Sequence, residues 1–138
     1  MIKTAETVQQ MESCYPVMAE LRPHLSAEQF LNQVQMQYQF GYQLTYFEVD
    51  NAVVAVAGHR ISHNLAWGKF LYVDDLVTAE QHRSKGYGKQ LLDWLIDYAR
   101  QQACQQFHLD SGKQRKDAHR FYEREGLRNM GHHYSLEL

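Results

Sequence analysis

Some residue groups in this chain have types and spacings that could do chemistry. The first is Arg83-Ser84-Lys85-Gly86-Tyr87-Gly88-Lys89. Two glycines one residue apart let the backbone come close to a ligand. At the start of a helix, free N–H groups and the positive end of the dipole favour an anion, and Arg83, Lys85 and Lys89 add mobile positive charge. This set suits a pyrophosphate. It is neither a Walker loop nor a Rossmann fingerprint, because GxxxxGK(S/T) and GxGxxG are both absent. The plainer alternative is a glycine-rich turn with a solvated basic face. The second group is the acidic pair Asp74-Asp75, set inside the apolar stretch Phe70 to Thr78. A strand sheltered on both faces seldom carries charge. Consecutive strand residues point to opposite faces, so at most one of the two should face a given side of a cleft. The alternative is a structural pair, hydrogen-bonded to the sheet or to basic neighbours.

The eight histidines are weaker signals. His119 lies at i+4 from Arg115 and i−3 from Tyr122, so the three share a helix face. That makes His119 a candidate base or substrate contact, against the plainer reading of a packed or surface histidine. His132 and His133 could line an acceptor mouth, but their spacing with His59, His63 or His108 gives no metal motif. Cys104 is expected to pack at a helix end and Cys14 has no activating neighbours in sequence, so no thiol nucleophile is expected.

The elements that must position these groups are legible in outline. Ile2 to Ala5 reads as a short first strand. Thr4 or Thr7 can cap a helix through Met11, Val17, Met18 and Leu21, which Pro16 should kink or split. Ser26 and Gln29 form a capping-box pattern for a second helix through Phe30, Leu31, Val34 and Tyr38, ended by Gly41. Tyr42, Leu44, Tyr46 and either Phe47 or Val49 read as a strand, with a turn at Asp50-Asn51 and a return strand from Val53 to about Ile61. Residues 62–68 make a second turn, and Phe70–Thr78 a third strand of an antiparallel meander. Leu91, Leu92, Leu95, Ile96, Ala99 and Ala103 fall on one face of a helix. Gln106–Leu109 is a short strand after it, which implies a right-handed parallel crossover. Asp117 to Glu125 is a last helix closed by Gly126, and His133 to Leu138 a final strand.

Length and composition bound the rest. The 138 residues allow one domain, residues 1–138. Hydrophobic residues make up 44% and charged residues 22%, ordinary for a globular chain with its own core. The formal charge of −2 advertises neither nucleic acid nor an anionic membrane as partner. No apolar run approaches the ~18 residues of a spanning helix, and the N-terminus lacks the apolar core of a signal peptide. Two cysteines without a CxxC pair make structural zinc or a disulfide framework unexpected, and the cytoplasm is the default compartment.

Arg-x-x-Gly-x-Gly, directly after a strand and opening a helix, resembles the coenzyme A loop of GNAT superfamily N-acetyltransferases. Ala118 to Leu127 is similar to a second segment of that family, A-x-x-x-Y-x-x-x-G-F, with Leu127 in place of the phenylalanine. The resemblance covers most of the chain, with its specific motifs in residues 71–127. It implies an α+β fold: a central mixed, mostly antiparallel sheet of about six or seven strands with a splayed parallel pair, flanked by about four helices. It also implies acetyl-CoA as co-substrate and no metal. The donor would enter between Phe70–Thr78 and Gln106–Asp110. Backbone groups of Leu76, Val77 and Thr78 would pair with the pantetheine and acetyl group, an N–H there stabilising the developing oxyanion. The pyrophosphate would rest on Arg83, Ser84, Lys85, Gly86, Tyr87, Gly88 and Lys89.

Tyr122 matches the family tyrosine near the thioester sulfur, a general acid for the departing thiolate. A thiol of pKa ~8.5 is already a fair leaving group, so this acid helps without being essential. Where many members have an asparagine on the cofactor, this chain has Arg115, and Ser111 is a candidate for some of the polar contacts. An amine must lose a proton to attack, and Asp74, nine positions before Arg83, is placed similarly to the glutamate of polyamine-type acetyltransferases. Asp74 is the candidate base or ammonium anchor, with Asp75 as alternate. Burial would have to raise a carboxyl from pKa ~3.9. The expected reaction is direct acetyl transfer to a primary amine, for which a small molecule is favoured over a protein amine. The competing expectation is a non-catalytic acyl-CoA-binding regulatory module. A homodimer through C-terminal strands is a further option that the resemblance carries.

Overall fold

The structure, a computed structural model, describes residues 1–112 and 114–138. The chain folds as two compact units, Met1–His108 and Leu109–Leu138.

In the first unit, β1 (Ile2–Thr4) is followed by α1 (Val8–Ser13) and α2 (Tyr15–Leu21). Thr7 closes a capping box with Gln10, and Pro16 sits in the first turn of α2, where its missing N–H costs nothing. Pro16 therefore splits the expected single helix into two. Ser26 and Gln29 form the second capping box, opening α3 (Ala27–Tyr38). The meander is β2 (Tyr42–Val49), β3 (Ala52–Asn64) and β4 (Gly68–Thr78). Asp50 and Asn51 both take positive φ, 50° and 64°, as a two-residue hairpin turn demands. A single turn of 3₁₀ helix, Glu80–His82, leads to α4 (Tyr87–Gln101) and then β5 (Gln106–Leu109). The sheet order is β1-β2-β3-β4-β5, antiparallel except for the final pair.

Strand alternation sends Tyr42, Leu44, Tyr46, Val56 and Val77 into one buried cluster with Met11, Val17, Met18, Phe30 and Val34 of α1 to α3. The opposite face carries Phe47 and His59, whose rings meet Tyr87 and Tyr98 of α4 at 5.1 and 5.8 Å. Leu91, Leu92 and Leu95 are fully buried on the apolar stripe of α4. Each such leucine contributes about 1.5–3 kcal/mol by area removed from water. Ala103 does not continue that stripe. It takes a left-handed φ of 60° in a helix-ending motif, with Cys104 N–H on the Ala99 carbonyl and Ala103 N–H on that of Arg100. No helix among the described residues is long and apolar enough to cross a membrane.

The second unit holds α5 (Lys116–Arg124), closed as expected by Gly126 at φ 95°. Leu127 N–H bonds the carbonyl of Tyr122, and Gly126 N–H that of Glu123. The expected strand His133–Leu138 does not form, and residues 127–138 carry no regular element. The alternation of residue types is present, but a strand needs a ladder partner, and this unit offers none. Tyr134, Leu136 and Leu138 are left exposed. Among the described residues the sheet thus has five strands rather than about six or seven, and there are five α-helices where about four were expected.

His59 gives the first unit a pH dependence. It is buried with its Nε2 2.8 Å from Thr45 Oγ1, and burial alone pulls its pKa down from 6.5 to about 4. The unfolded chain therefore takes up this proton first. The stabilisation is whole above about pH 6.5 and is lost as pH falls toward about 4, a range worth roughly 3 kcal/mol. The melting temperature should drop on acidification through that range, and His59→Gln should flatten the drop in scanning calorimetry.

Candidate active site

The glycine-rich segment Arg83–Lys89 lies at the junction of β4 and α4. Ser84 and Gly86 both take left-handed φ, 65° and 83°, and Gly86 caps α4 without a side chain. The first-turn N–H groups at Tyr87 and Gly88 thus open a helix mouth with no side-chain cap. A β-carbon on Gly88 would come within 3.0 Å of Thr78 Oγ1, so the loop lies close against the end of β4. The charges here are less mobile than the sequence suggests. Lys89 is paired with Asp93 at 3.0 Å, and Arg83 Nε reaches the Thr78 carbonyl at 3.4 Å. Tyr87 turns its ring onto Phe47, so only its backbone serves the loop.

On the side of β4 away from β3 the neighbouring strand is β5. Gln105 N–H donates to the Lys69 carbonyl at 2.7 Å, and β5 runs only four residues from that point. Leu76, Val77 and Thr78 ladder with Ala57, Val56 and Ala55 of β3. Asp110, expected within β5, lies past its end.

The acidic pair is arranged differently from its expected alternation. Gly58 stands opposite Asp75 and His59 opposite Val73, so Asp74 is the extra residue of a β-bulge. The bulge sets both carboxylates on one face, that of Tyr42, and both line one cleft. Asp75 accepts from Tyr42 Oη and from Arg22 Nε, each at 2.9 Å, and Arg22 also donates to the Asp74 carbonyl at 3.0 Å. Asp74 accepts from Arg60 Nε at 3.1 Å, while the Arg60 guanidinium lies 5.2 Å from the Tyr72 ring centre. Burial raises the pKa of Asp74 above its usual 3.8, with Arg60 opposing. Burial also raises the Tyr42 hydroxyl, reinforced by Asp75, so it stays a donor. Glycine at 58 leaves the room for this contact, since a β-carbon there would strike both the Tyr42 hydroxyl and the Asp75 carboxylate.

The cleft has a volume of about 370 Å³. Met18, Leu25, Phe30 and Val34 form its apolar wall, and Arg22 and His24 its basic rim. Arg22, Tyr42, Arg60 and Gly58 were not singled out in the sequence. No local pattern marks them, because the contacts join residues up to 53 positions apart.

In the second unit, Tyr122 is buried on α5. Burial raises its hydroxyl above the usual 10, opposed by the charge and hydrogen bond of Arg115. Arg115 is thus engaged with Tyr122. The Ser111 hydroxyl is buried with no hydrogen-bond partner among the described residues. His119 Nε2–H donates to the Gly112 carbonyl at 2.7 Å, which ties this ring to its own loop. His132 and His133 are exposed, and His133 lies 3.5 Å from Asp110. Burial raises Cys104 and pushes Cys14 up to about 12, and neither is poised as a thiolate.

The sequence pattern of the acetyltransferase (GNAT) family matches residues 5–127. The chain belongs to this family. This GNAT protein is accordingly an acetyl-CoA-dependent N-acetyltransferase. It is 38% identical over 122 residues to the uncharacterized N-acetyltransferase YhdJ of Bacillus subtilis (strain 168), covering 88% of this chain and 86% of that protein. It is 35% identical over 66 residues to the aminoalkylphosphonate N-acetyltransferase of Salmonella typhimurium, covering 48% of this chain and 43% of that enzyme. Aminoglycoside N-acetyltransferase AAC(6′)-Iy, solved in complex with CoA, superposes with a TM-score of 0.89 at 12% identity, covering 100% of this chain and 93% of the other. That likeness establishes a shared fold.

Proposed function

We propose that residues 1–138 work as one acetyltransferase domain that moves acetyl from acetyl-CoA to the primary amine of a small molecule, by direct attack in a ternary complex. The observation that carries the small acceptor is the cleft of about 370 Å³ with both carboxylates on its wall, a size typical of small-molecule sites. The left-handed Gly86, the uncapped start of α4 and the unsatisfied Ser111 hydroxyl suit the phosphates and polar arm of coenzyme A.

In this reading the pyrophosphate rests on Arg83, Ser84, Lys85, Gly86, Tyr87, Gly88 and Lys89. The backbone of Leu76, Val77 and Thr78 aligns the thioester and supplies an N–H to the developing oxyanion. The amine nitrogen bonds to the carbonyl carbon, the carbon–sulfur bond breaks, and the ammonium proton passes to Asp74. Tyr122 donates its proton to the leaving thiolate, and Ser111 and Arg115 complete the polar contacts to the donor. Asp75 holds Tyr42 and Arg22 in place. His119 serves as a secondary acceptor contact only.

The test is thiol release from acetyl-CoA over a panel of primary amines, wild type against Tyr122→Phe. Amine-dependent release is expected, with kcat about tenfold lower in the variant and KM for acetyl-CoA little changed. Tight acetyl-CoA binding with no turnover on any amine would leave the regulatory-module reading instead.

A further inference from the structure

The charge balance of the cleft narrows the acceptor. We infer, on the acetyltransferase reading, that the acceptor is a small zwitterion: a primary amine whose short carbon chain ends in a carboxylate, phosphonate or phosphate, with the anionic end at Arg22 and His24 and the amine at Asp74.

The two aspartates do not make an acidic patch. Each already faces an arginine, Asp75 with Arg22 at 2.9 Å and Asp74 with Arg60 at 3.1 Å. A diamine would meet two compensated carboxylates and the like charge of Arg22, so it gains little here. A plain alkylamine would leave the basic rim facing nothing. Arg22 spends Nε and Nη2 on Asp75 and on the Asp74 carbonyl. A guanidinium carries five N–H donors, so others stay available. Its side chain is 40% exposed, against 14% for the Asp75 it covers. That leaves a half-open, rigidly held cation of the kind that binds carboxylate and phosphonate oxygens. His24, exposed on the same rim, adds a second donor. Because Arg22 bonds the main chain of Asp74 itself, the anion and amine positions lie within a short chain's span. Met18, Leu25 and Phe30 supply the apolar wall for its methylenes.

The experiment compares thiol release from acetyl-CoA with four amines of matched chain length: an ω-aminoalkylphosphonate, an ω-amino acid, the alkylamine and the diamine. Both zwitterions, or the one whose anion fits, should exceed the alkylamine and the diamine about tenfold or more in kcat/KM, mainly through KM. The better of the two identifies the anion. Arg22→Lys and, independently, the rim variant His24→Asn should shrink the zwitterion-to-alkylamine ratio. Folding of each variant is checked by melting and acetyl-CoA binding. An alkylamine or diamine that matches the zwitterions, or a ratio that neither variant moves, overturns the inference while leaving the acetyltransferase reading standing. Binding of acetyl-CoA with no thiol release for any of the four removes that reading and the inference together.

Discussion

Gly86→Glu is expected to take acetyl-CoA binding below detection in a protein that remains folded. Gly86 sits at φ 83°, ψ 5°, where a side chain costs about 1–2 kcal/mol. Nothing lies within 4 Å of a β-carbon built there, so the exposed loop can accept the residue within the stability of an ordinary domain. The new carboxylate would stand at the mouth of α4, opposite the charges of the diphosphate. Each like-charge contact at about 4 Å opposes binding by roughly 1–4 kcal/mol, depending on how much water remains. Titration calorimetry should show no heat with the glutamate variant. Gly86→Ala, which adds strain without charge, should bind more weakly than wild type but measurably. Full affinity in a folded glutamate variant would remove the pyrophosphate from this loop.

Asp74→Asn should act on the other half of the reaction. Loss of a general base typically costs 10²–10⁴-fold in rate, and kcat is expected to fall by about two orders of magnitude while acetyl-CoA affinity moves less than about twofold. The sign of the pH effect follows from burial. A base works deprotonated, and burial raises the pKa of Asp74 above 3.8, so the acid limb of kcat shifts to higher pH than an exposed aspartate would give. Below that limb the carboxyl is protonated and turnover is lost. Asparagine cannot titrate, so the variant should lose the limb along with the rate. An acid limb of kcat that persists unchanged in Asp74→Asn would take Asp74 out of the chemistry.

Local signals carried much of the fold. Thr7 and Ser26 each close a capping box, Pro16 divides the first helix, Asp50-Asn51 turns the hairpin and Gly126 ends α5. These devices act within a few residues, so the order of residue types is enough to read them. The same holds for Gly86, which takes a left-handed φ at the start of α4. What stayed hidden depends on register or on distance along the chain. The β-bulge at Asp74 reverses the expectation that alternation parts the two carboxylates, and nothing in Val73-Asp74-Asp75-Leu76 announces it. Arg22, Tyr42 and Arg60 meet the pair only after helix and strands pack. The alternation at His133–Leu138 fits a strand pattern, yet pattern alone cannot supply the neighbour a strand must pair with. Ala103 matched the helical period but lies beyond the point where the chain leaves the helix.

The backbone role proposed for Leu76–Thr78 of β4 has a consequence for how such a protein can diverge. Amide and carbonyl groups at Leu76–Thr78 are common to every residue except proline, which lacks the N–H. A donor gripped through this backbone would keep its hold under nearly any exchange of side chain, whereas an acceptor cleft built from side chains would be rewritten by a single one. Selection can therefore hold one acyl carrier fixed while recruiting new amines.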